Sequence, residues 1–310
     1  MISSSPLFSS PLPPARLPPP VRPGARVGVA ALSGPVKPER LAAGVAALGA
    51  LGFEVVEAAN LGRAEGYLAG SDAERLAAFH RLAADPSLEA IFFARGGYGV
   101  MRLLPGIDWS LLARHPRAYV GYSDLTPFLL SVVARLGLAA FQGPMVAADF
   151  ARALLPEEQR SLLAALAGEP QPPMPARGWV GEGEAEGVLL GGCLSMLAAC
   201  VGTPLAVPLG GSLLLLEDTQ EPLYRLDRLL TQLELSGALA GVQGFALGRF
   251  DPHKDLDPRL LALWADRLGG REGRPIAVGL SFGHTAPNCT LPLGLPARLV
   301  PGSGLEVVVS

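Results

Sequence analysis

The sequence predicts an α/β protein of two packed units: an N-terminal doubly wound, largely parallel sheet domain and a C-terminal mixed α+β domain. Three observations predict it. At 310 residues the chain is long for one hydrophobic core. From residue 26 to about residue 167, short apolar runs alternate with amphipathic ones, the rhythm of βαβ units on a parallel sheet. Residues 168–177 (GEPQPPMPAR) are too rich in proline for a helix or a central strand, so they read as a linker, and strands crowd closer together beyond them. The expected division is therefore a proline-rich arm over 1–25, an N-terminal domain over 26–167, a linker over 168–178 and a C-terminal domain over 179–310.

Eight of the 30 prolines fall within residues 1–25, which carry almost no amphipathic pattern; a disordered or polyproline-like arm is expected. Residues 26–32 (RVGVAAL) read as the first strand and 38–51 as the helix after it. A strand over 53–58 precedes a helix over 71–84, which Ser71 and Asp72 are placed to cap. Residues 88–94 read as an inner strand. The strand at 118–121 (AYVG) stops at Tyr122-Ser123-Asp124, and a helical repeat follows over 126–136 with Pro127 in its first turn, so Ser123 lies at a strand-to-helix junction. In the second half, strands are expected over 179–190, 212–217, 242–250, 275–280 and 298–309. The helix over 222–236 sets Leu223, Leu226, Leu230 and Leu233 on one face and ends at Gly237.

Composition narrows the function classes. Apolar residues make up 49% and charged residues 17%, which is ample core material for a globular chain. A net charge of −3 with no Lys or Arg run lacks the electrostatic footprint of a nucleic-acid or anionic-membrane binder, so a small-molecule partner is expected. Three cysteines, Cys193, Cys200 and Cys289, form no CxxC pair and suggest neither a disulfide framework nor a zinc site. No basic start leads into an uninterrupted apolar stretch, and no segment reaches 18 apolar residues; with the odd cysteine count, this favours a protein that stays in the cytoplasm.

The chemistry concentrates in a few loops. Residues 121–125 (GYSDL) resemble a nucleophile elbow, in which a tight turn lifts a serine hydroxyl out of a sheet, although Leu125 replaces the usual second glycine and a helix-capping role for Ser123 competes. A serine nucleophile needs a base, and the chain has four histidines. His80 lies in a helix beside Arg81, His115 in a turn before Pro116, and His253 in a polar loop. His284 follows an apolar strand in a loop fixed by Gly283 and Pro287, and it is the strongest choice. An imidazole base wants a carboxylate on its far nitrogen. Glu217, closing the apolar run at 212–216, qualifies; Asp218 is its rival, and Glu221 suits the dipole of the next helix. The glycine-rich residues 94–99 (ARGGYG) fit no phosphate-loop pattern, so an oxyanion or substrate-carboxylate role for the Gly96-Gly97 backbone competes with an ordinary turn.

Five segments together resemble the LD-carboxypeptidase, or muramoyl-tetrapeptide carboxypeptidase, family, whose relatives include microcin C self-immunity peptidases. They are residues 94–104 (ARGGYGVMRLL), 120–124 (VGYSD), 142–145 (QGPM), 216–228 (LEDTQEPLYRLDR) and 283–294 (GHTAPNCTLPLG). The resemblance implies Ser123 as nucleophile, Glu217 as acid and His284 as base, with an oxyanion hole from the backbone amides of Asp124 and Gly97. It also implies an active site between the two domains, a homodimer, no metal or cofactor, and a muropeptide tetrapeptide that loses a terminal D-Ala in cell-wall recycling. A sulfamoyl adenylate substrate is the runner-up, and a muropeptide-binding protein without turnover is the reading from another class. Cys193 stands where similar proteins generally carry Asn; it is expected in a helix with Cys200, buried by packing rather than acting as a nucleophile.

Overall fold

The computed structural model describes residues 11–269 and 273–309. Its N-terminal half is built from strands β1 (Arg26–Ala30), β2 (Glu54–Glu57), β3 (Leu88–Phe93), β4 (Ala118–Gly121) and β5 (Ala140–Gln142). Between them run helices α1 (Pro38–Ala50), α2 (Asp72–Ala84), the short α3 (Val100–Leu103) and α4 (Trp109–Arg114), and α5 (Thr126–Leu136); α6 (Pro156–Ala167) follows. The strands order as β5-β4-β3-β1-β2, all parallel. That is the doubly wound sheet the alternating pattern predicts; its inner strands β1, β3 and β4 are buried along most of their length because both faces are covered, while the edge strand β2 is not. α2 starts as expected: Ser71 Oγ accepts from Glu74 N while the Glu74 carboxylate accepts from Ser71 N, a reciprocal capping box.

The second half adds β6 (Gly178–Val180), β7 (Ala185–Cys193), α7 (Leu194–Cys200), β8 (Ser212–Thr219), α8 (Leu223–Leu235), β9 (Gly244–Asp251), α9 (Pro258–Trp264), β10 (Ile276–Val278), β11 (Leu291–Leu293), β12 (Pro296–Val300) and β13 (Gly304–Val307). Seven strands form a mixed sheet in the order β13-β12-β7-β8-β9-β10-β6. Its centre, β7 to β10, is parallel with α7, α8 and α9 as crossovers; β12, β13 and β6 pair antiparallel at the edges. Of the four leucines expected on one face, α8 buries Leu226, Leu230 and Leu233, and Leu223 at its start is partly buried.

Four expectations are corrected. The strand expected over 179–190 is two strands, because Gly181 and Gly183 adopt positive φ between β6 and β7. The strand expected over 298–309 is the hairpin β12–β13. Cys193 lies at the end of β7, and Cys200 closes α7; both are buried, but they do not share a helix. The arm is ordered from Pro11 onward, while residues 1–10 lie outside the described residues. Ala15 N donates to Gly294 O, Arg16 N donates to Gly137 O while Ala139 N donates to Arg16 O just before β5, and Val21 N donates to Leu166 O. With Ala15, Val21 and Ala25 buried, residues 11–25 form a strap; prolines leave few amides to satisfy, and those of Ala15, Arg16, Val21, Gly24 and Ala25 find backbone partners.

β11 departs from the expected division in a way that matters for the site. It falls within 179–310, yet it pairs antiparallel with β5 and extends the N-terminal sheet to six strands. Leu291 and Leu293 are buried there, and the pairing covers an edge that β5 would otherwise expose. Loop 279–290, which carries His284, therefore starts from one sheet and ends in the other.

The N-terminal layer is closely packed around this arrangement. Gly44 of α1 meets the 143–149 loop so tightly that a Cβ would come 2.0 Å from Val146 O. Helix propensity favours alanine over glycine by about 1 kcal/mol, but contact with rigid backbone opposes it. Gly44→Ala is therefore expected to lower the urea midpoint of unfolding, whereas an exposed helical glycine such as Gly49, with nothing near its Cβ position, should gain stability from the same change.

Candidate active site

Ser123 follows β4 with φ 63°, a left-handed conformation that costs a non-glycine residue on the order of 1–3 kcal/mol. The turn is held from beneath by the buried carboxylate of Asp124, which accepts from Ser33 Oγ at 2.5 Å and from Val100 N at 2.9 Å. Gly96 fits directly against the serine; a Cβ there would lie 2.9 Å from both Ser123 Cβ and Oγ. Gly97 is one residue further, over Gly34. Because Gly34 N donates to Gly96 O, the planar trans peptide turns the Gly97 N–H to the opposite side.

Glu217 lies near the carboxyl end of β8 and is fully buried. The β8–β9 register slips between Leu216 and Asp218, a bulge that re-aims side chains at the strand end. Glu217 Oε2 accepts from His284 Nδ1 at 2.6 Å and from His284 N at 3.2 Å. With that nitrogen donating, His284 Nε2 is the acceptor, 2.9 Å from Ser123 Oγ. The three residues selected from sequence thus meet in one hydrogen-bonded line between the two sheets. The rival acid Asp218 faces elsewhere and accepts from Ser195 N and Thr219 N. Glu221 pairs with Arg225. Two of the other histidines are also engaged elsewhere: His80 Nε2 accepts from Asp108 N, and His253 Nε2 bonds the Glu221 carbonyl.

Several further positions hold this line: the sequence marks Gly283 only as fixing the loop, and it does not single out Asn288, Glu158 or Arg152. Gly283 has φ 104°, and a Cβ on it would come 2.6 Å from Glu217 Oε2, so glycine is required where the loop passes the carboxylate. Asn288, fully buried, accepts from Gly283 N through Oδ1 at 3.0 Å, and its own N donates to Glu158 Oε1 at 2.6 Å. Glu158, buried at the start of α6, is bridged by Arg152 at 2.5 Å, and Arg152 also reaches Asp149 at 3.2 Å. Burial alone would raise the Glu158 carboxyl; the Arg152 guanidinium and the Asn288 and Leu155 amides outweigh it and hold it low. The Tyr122 and His284 rings pack edge to face, with centroids 5.0 Å apart. The two halves are also joined beside the elbow, where Cys193 N donates to Thr126 Oγ1. Burial, reinforced by Glu217 and Asp218, pushes the Cys193 thiol well up, which keeps it protonated and unreactive.

Burial works against a charge on His284, but the Glu217 carboxylate, through both its charge and its hydrogen bond, overcomes this, with Asp218 and Asp149 adding to it. The imidazole is therefore held above the ordinary histidine value. An oriented imidazole between a hydroxyl and a buried carboxylate can accept the hydroxyl proton and return it to a leaving group.

Comparison with known proteins agrees with this architecture. The sequence matches the LD-carboxypeptidase N-terminal domain over residues 27–143 and the LD-carboxypeptidase C-terminal domain over residues 186–299. It is 43% identical to a putative carboxypeptidase of Streptomyces coelicolor, with 94% of each chain covered. To the murein tetrapeptide carboxypeptidase of Pseudomonas aeruginosa it is 37% identical, over 75% of this chain and 79% of that one. Its fold is shared with an MccF-like protein from Bacillus anthracis, at a TM-score of 0.87 and 24% identity, covering 96% of this chain and all of the other (100%).

The His284 environment can be checked by NMR. Its imidazole should titrate above about 6.5, the unperturbed value, and Glu217→Gln should move the midpoint down, since the charge that favours the imidazolium is removed while burial remains.

Proposed function

The chain belongs to the LD-carboxypeptidase family, and on that premise we propose that it is a serine carboxypeptidase that releases terminal D-Ala from muropeptide tetrapeptides, cutting an L,D-peptide bond. The observation that carries the reading is the unbroken line from Ser123 Oγ through His284 to the buried Glu217, with the serine on a strained elbow. In the first step His284 Nε2 takes the Ser123 proton as Oγ attacks the scissile carbonyl. The oxyanion falls to the N–H groups of Asp124 and Gly97, the latter turned away from Gly34. Nε2–H then protonates the amine of D-Ala, the C–N bond breaks, and an acyl-enzyme on Ser123 remains. Water, giving a proton to the same nitrogen, hydrolyses the ester and restores the serine. The reaction calls on no metal or cofactor. The same reading takes the protein to work in the cytoplasm as a homodimer, on muropeptides returned from the wall.

Cleavage of a sulfamoyl adenylate is the second reading. It calls for an aromatic platform for the base, and Trp264 does not provide one: it is fully buried against Phe250, with ring centroids 4.7 Å apart. The exposed Tyr67 and Tyr98, edge to face at 5.6 Å, are the one observation that favours it. Competing both substrates for the same enzyme ranks them directly. A muropeptide-binding protein without turnover, the third reading, has no use for a serine strained toward a base.

Ser123→Ala should lower kcat for D-Ala release by about 10⁴- to 10⁶-fold with the urea midpoint nearly unchanged; release at the wild-type rate, read by mass spectrometry, would refute the mechanism. The base must be neutral to accept the proton. Because Glu217 raises the His284 pKa, the acid limb of the kcat/KM profile should lie above about pH 6.5, with activity lost as pH falls through it.

A further inference from the structure

Beside the serine lies a cavity of about 620 Å³ lined by Gly34, Pro35, Tyr67, Arg95, Gly97 and Tyr98. Its walls are the loops that leave the carboxyl ends of β1 and β3, with Tyr67 added from the loop that leaves β2. In the sheet the chain passes from β1 outward to β2 on one side and from β3 to β4 on the other, so these neighbouring loops diverge. Such a crevice is where doubly wound sheets bind ligands. Ser123 stands at the end of the next strand, in contact with Gly96, the residue between Arg95 and Gly97.

Arg95 is unusual among the cations near the site. Its Nη1 donates to Pro35 O at 3.0 Å, and among the described residues no carboxylate lies within ion-pair distance of it. Arg177 and Arg249, beside Thr285, instead share Asp255, at 3.5 and 3.8 Å. No acidic side chain lines the Arg95 cavity. Tyr67 and Tyr98 supply two aromatic walls that reduce the water around whatever the guanidinium holds.

We propose that Arg95 receives a free carboxylate of the peptide substrate, in a subsite formed with Tyr67 and Tyr98. The proposal rests on the carboxypeptidase reading and specifies what that reading requires. A terminal carboxylate is three covalent bonds from the scissile carbonyl carbon, so the group that recognises it must sit next to the nucleophile. A guanidinium offers paired N–H donors in the plane a carboxylate needs, and it stays charged at every working pH. The carboxylate has two sources, the C-terminus of the residue released or an acidic side chain of the residues before it.

Calorimetry separates the sources, using Ser123→Ala protein so that nothing is cleaved. Three ligands are compared: a tetrapeptide with both carboxylates free, the same peptide as its C-terminal amide, and the same peptide with its side-chain carboxylate amidated. Arg95→Gln, checked for an unchanged urea midpoint, should weaken the free acid by about 10- to 100-fold, the span of a charge-assisted hydrogen bond. Amidating the carboxylate that Arg95 holds should weaken the parent protein by a similar factor and leave the Arg95→Gln protein indifferent. Equal loss on all three ligands, no loss on any, or no measurable binding would overturn the subsite. Turnover of the Ser123-containing enzyme keeps the two ideas apart. D-Ala release with no Arg95 dependence in binding removes the subsite and keeps the function; Arg95-dependent binding without release does the opposite.

Discussion

The 2.6 Å bond between Glu217 and His284 joins a carboxylate at the end of a central strand to an imidazole on a loop whose two ends are fixed in different sheets. Both nitrogens of the ring and the backbone amide of the same residue are engaged, so ring position, ring orientation and tautomer are set together. The carboxylate is fully buried, and a buried charge is tolerated only where its partners are close and well directed. That requirement accounts for Gly283, which lets the loop backbone pass the carboxylate, and for Asn288, which pins the Gly283 amide.

Support for the loop comes from an unexpected direction. Glu158 belongs to α6, in the N-terminal half, yet it accepts from the Asn288 amide, and Arg152 ties it to Asp149. Asp149 in turn accepts from Met145 N in the stretch after β5. The imidazole is thus braced from both halves, by buried carboxylates and the partly exposed Arg152 that joins them. Removing one member would leave the others desolvated and unmatched, which costs more than losing a single exposed pair.

Much of this was legible in the sequence, for identifiable reasons. Ser123 stands out because a four-residue apolar strand breaks immediately before a helix with proline in its first turn. His284 emerges among four histidines because it follows a buried strand in a loop fixed by Gly283 and Pro287, whereas His253, also beyond a strand, sits in a polar loop. Choosing Glu217 over Asp218 depends on which face of β8 each occupies, and the bulge that decides it leaves no mark in the residue types; the resemblance to a known family supplied the preference. Glu158 was out of reach, since nothing in residues 156–159 (PEEQ) separates it from Glu157. β11 was hidden as well: a three-residue strand with proline at its centre reads as loop, and proline is tolerated there because β11 is an edge strand. The proline-rich arm misled because composition describes what a segment can do alone, whereas its partners are the turn before β5, α6 and the turn after β11.

The return of β11 to the first sheet interleaves the chain, so the halves are not beads on a string. Swinging them apart would have to peel β11 from β5 or stretch the short segment that carries the imidazole. Wide hinge opening is thereby disfavoured, and ligands must enter and leave a cleft whose geometry is fixed beforehand. Traffic through the molecule then falls to side chains at the rim, and selectivity becomes a matter of shape and charge at a standing doorway rather than of closure around a guest.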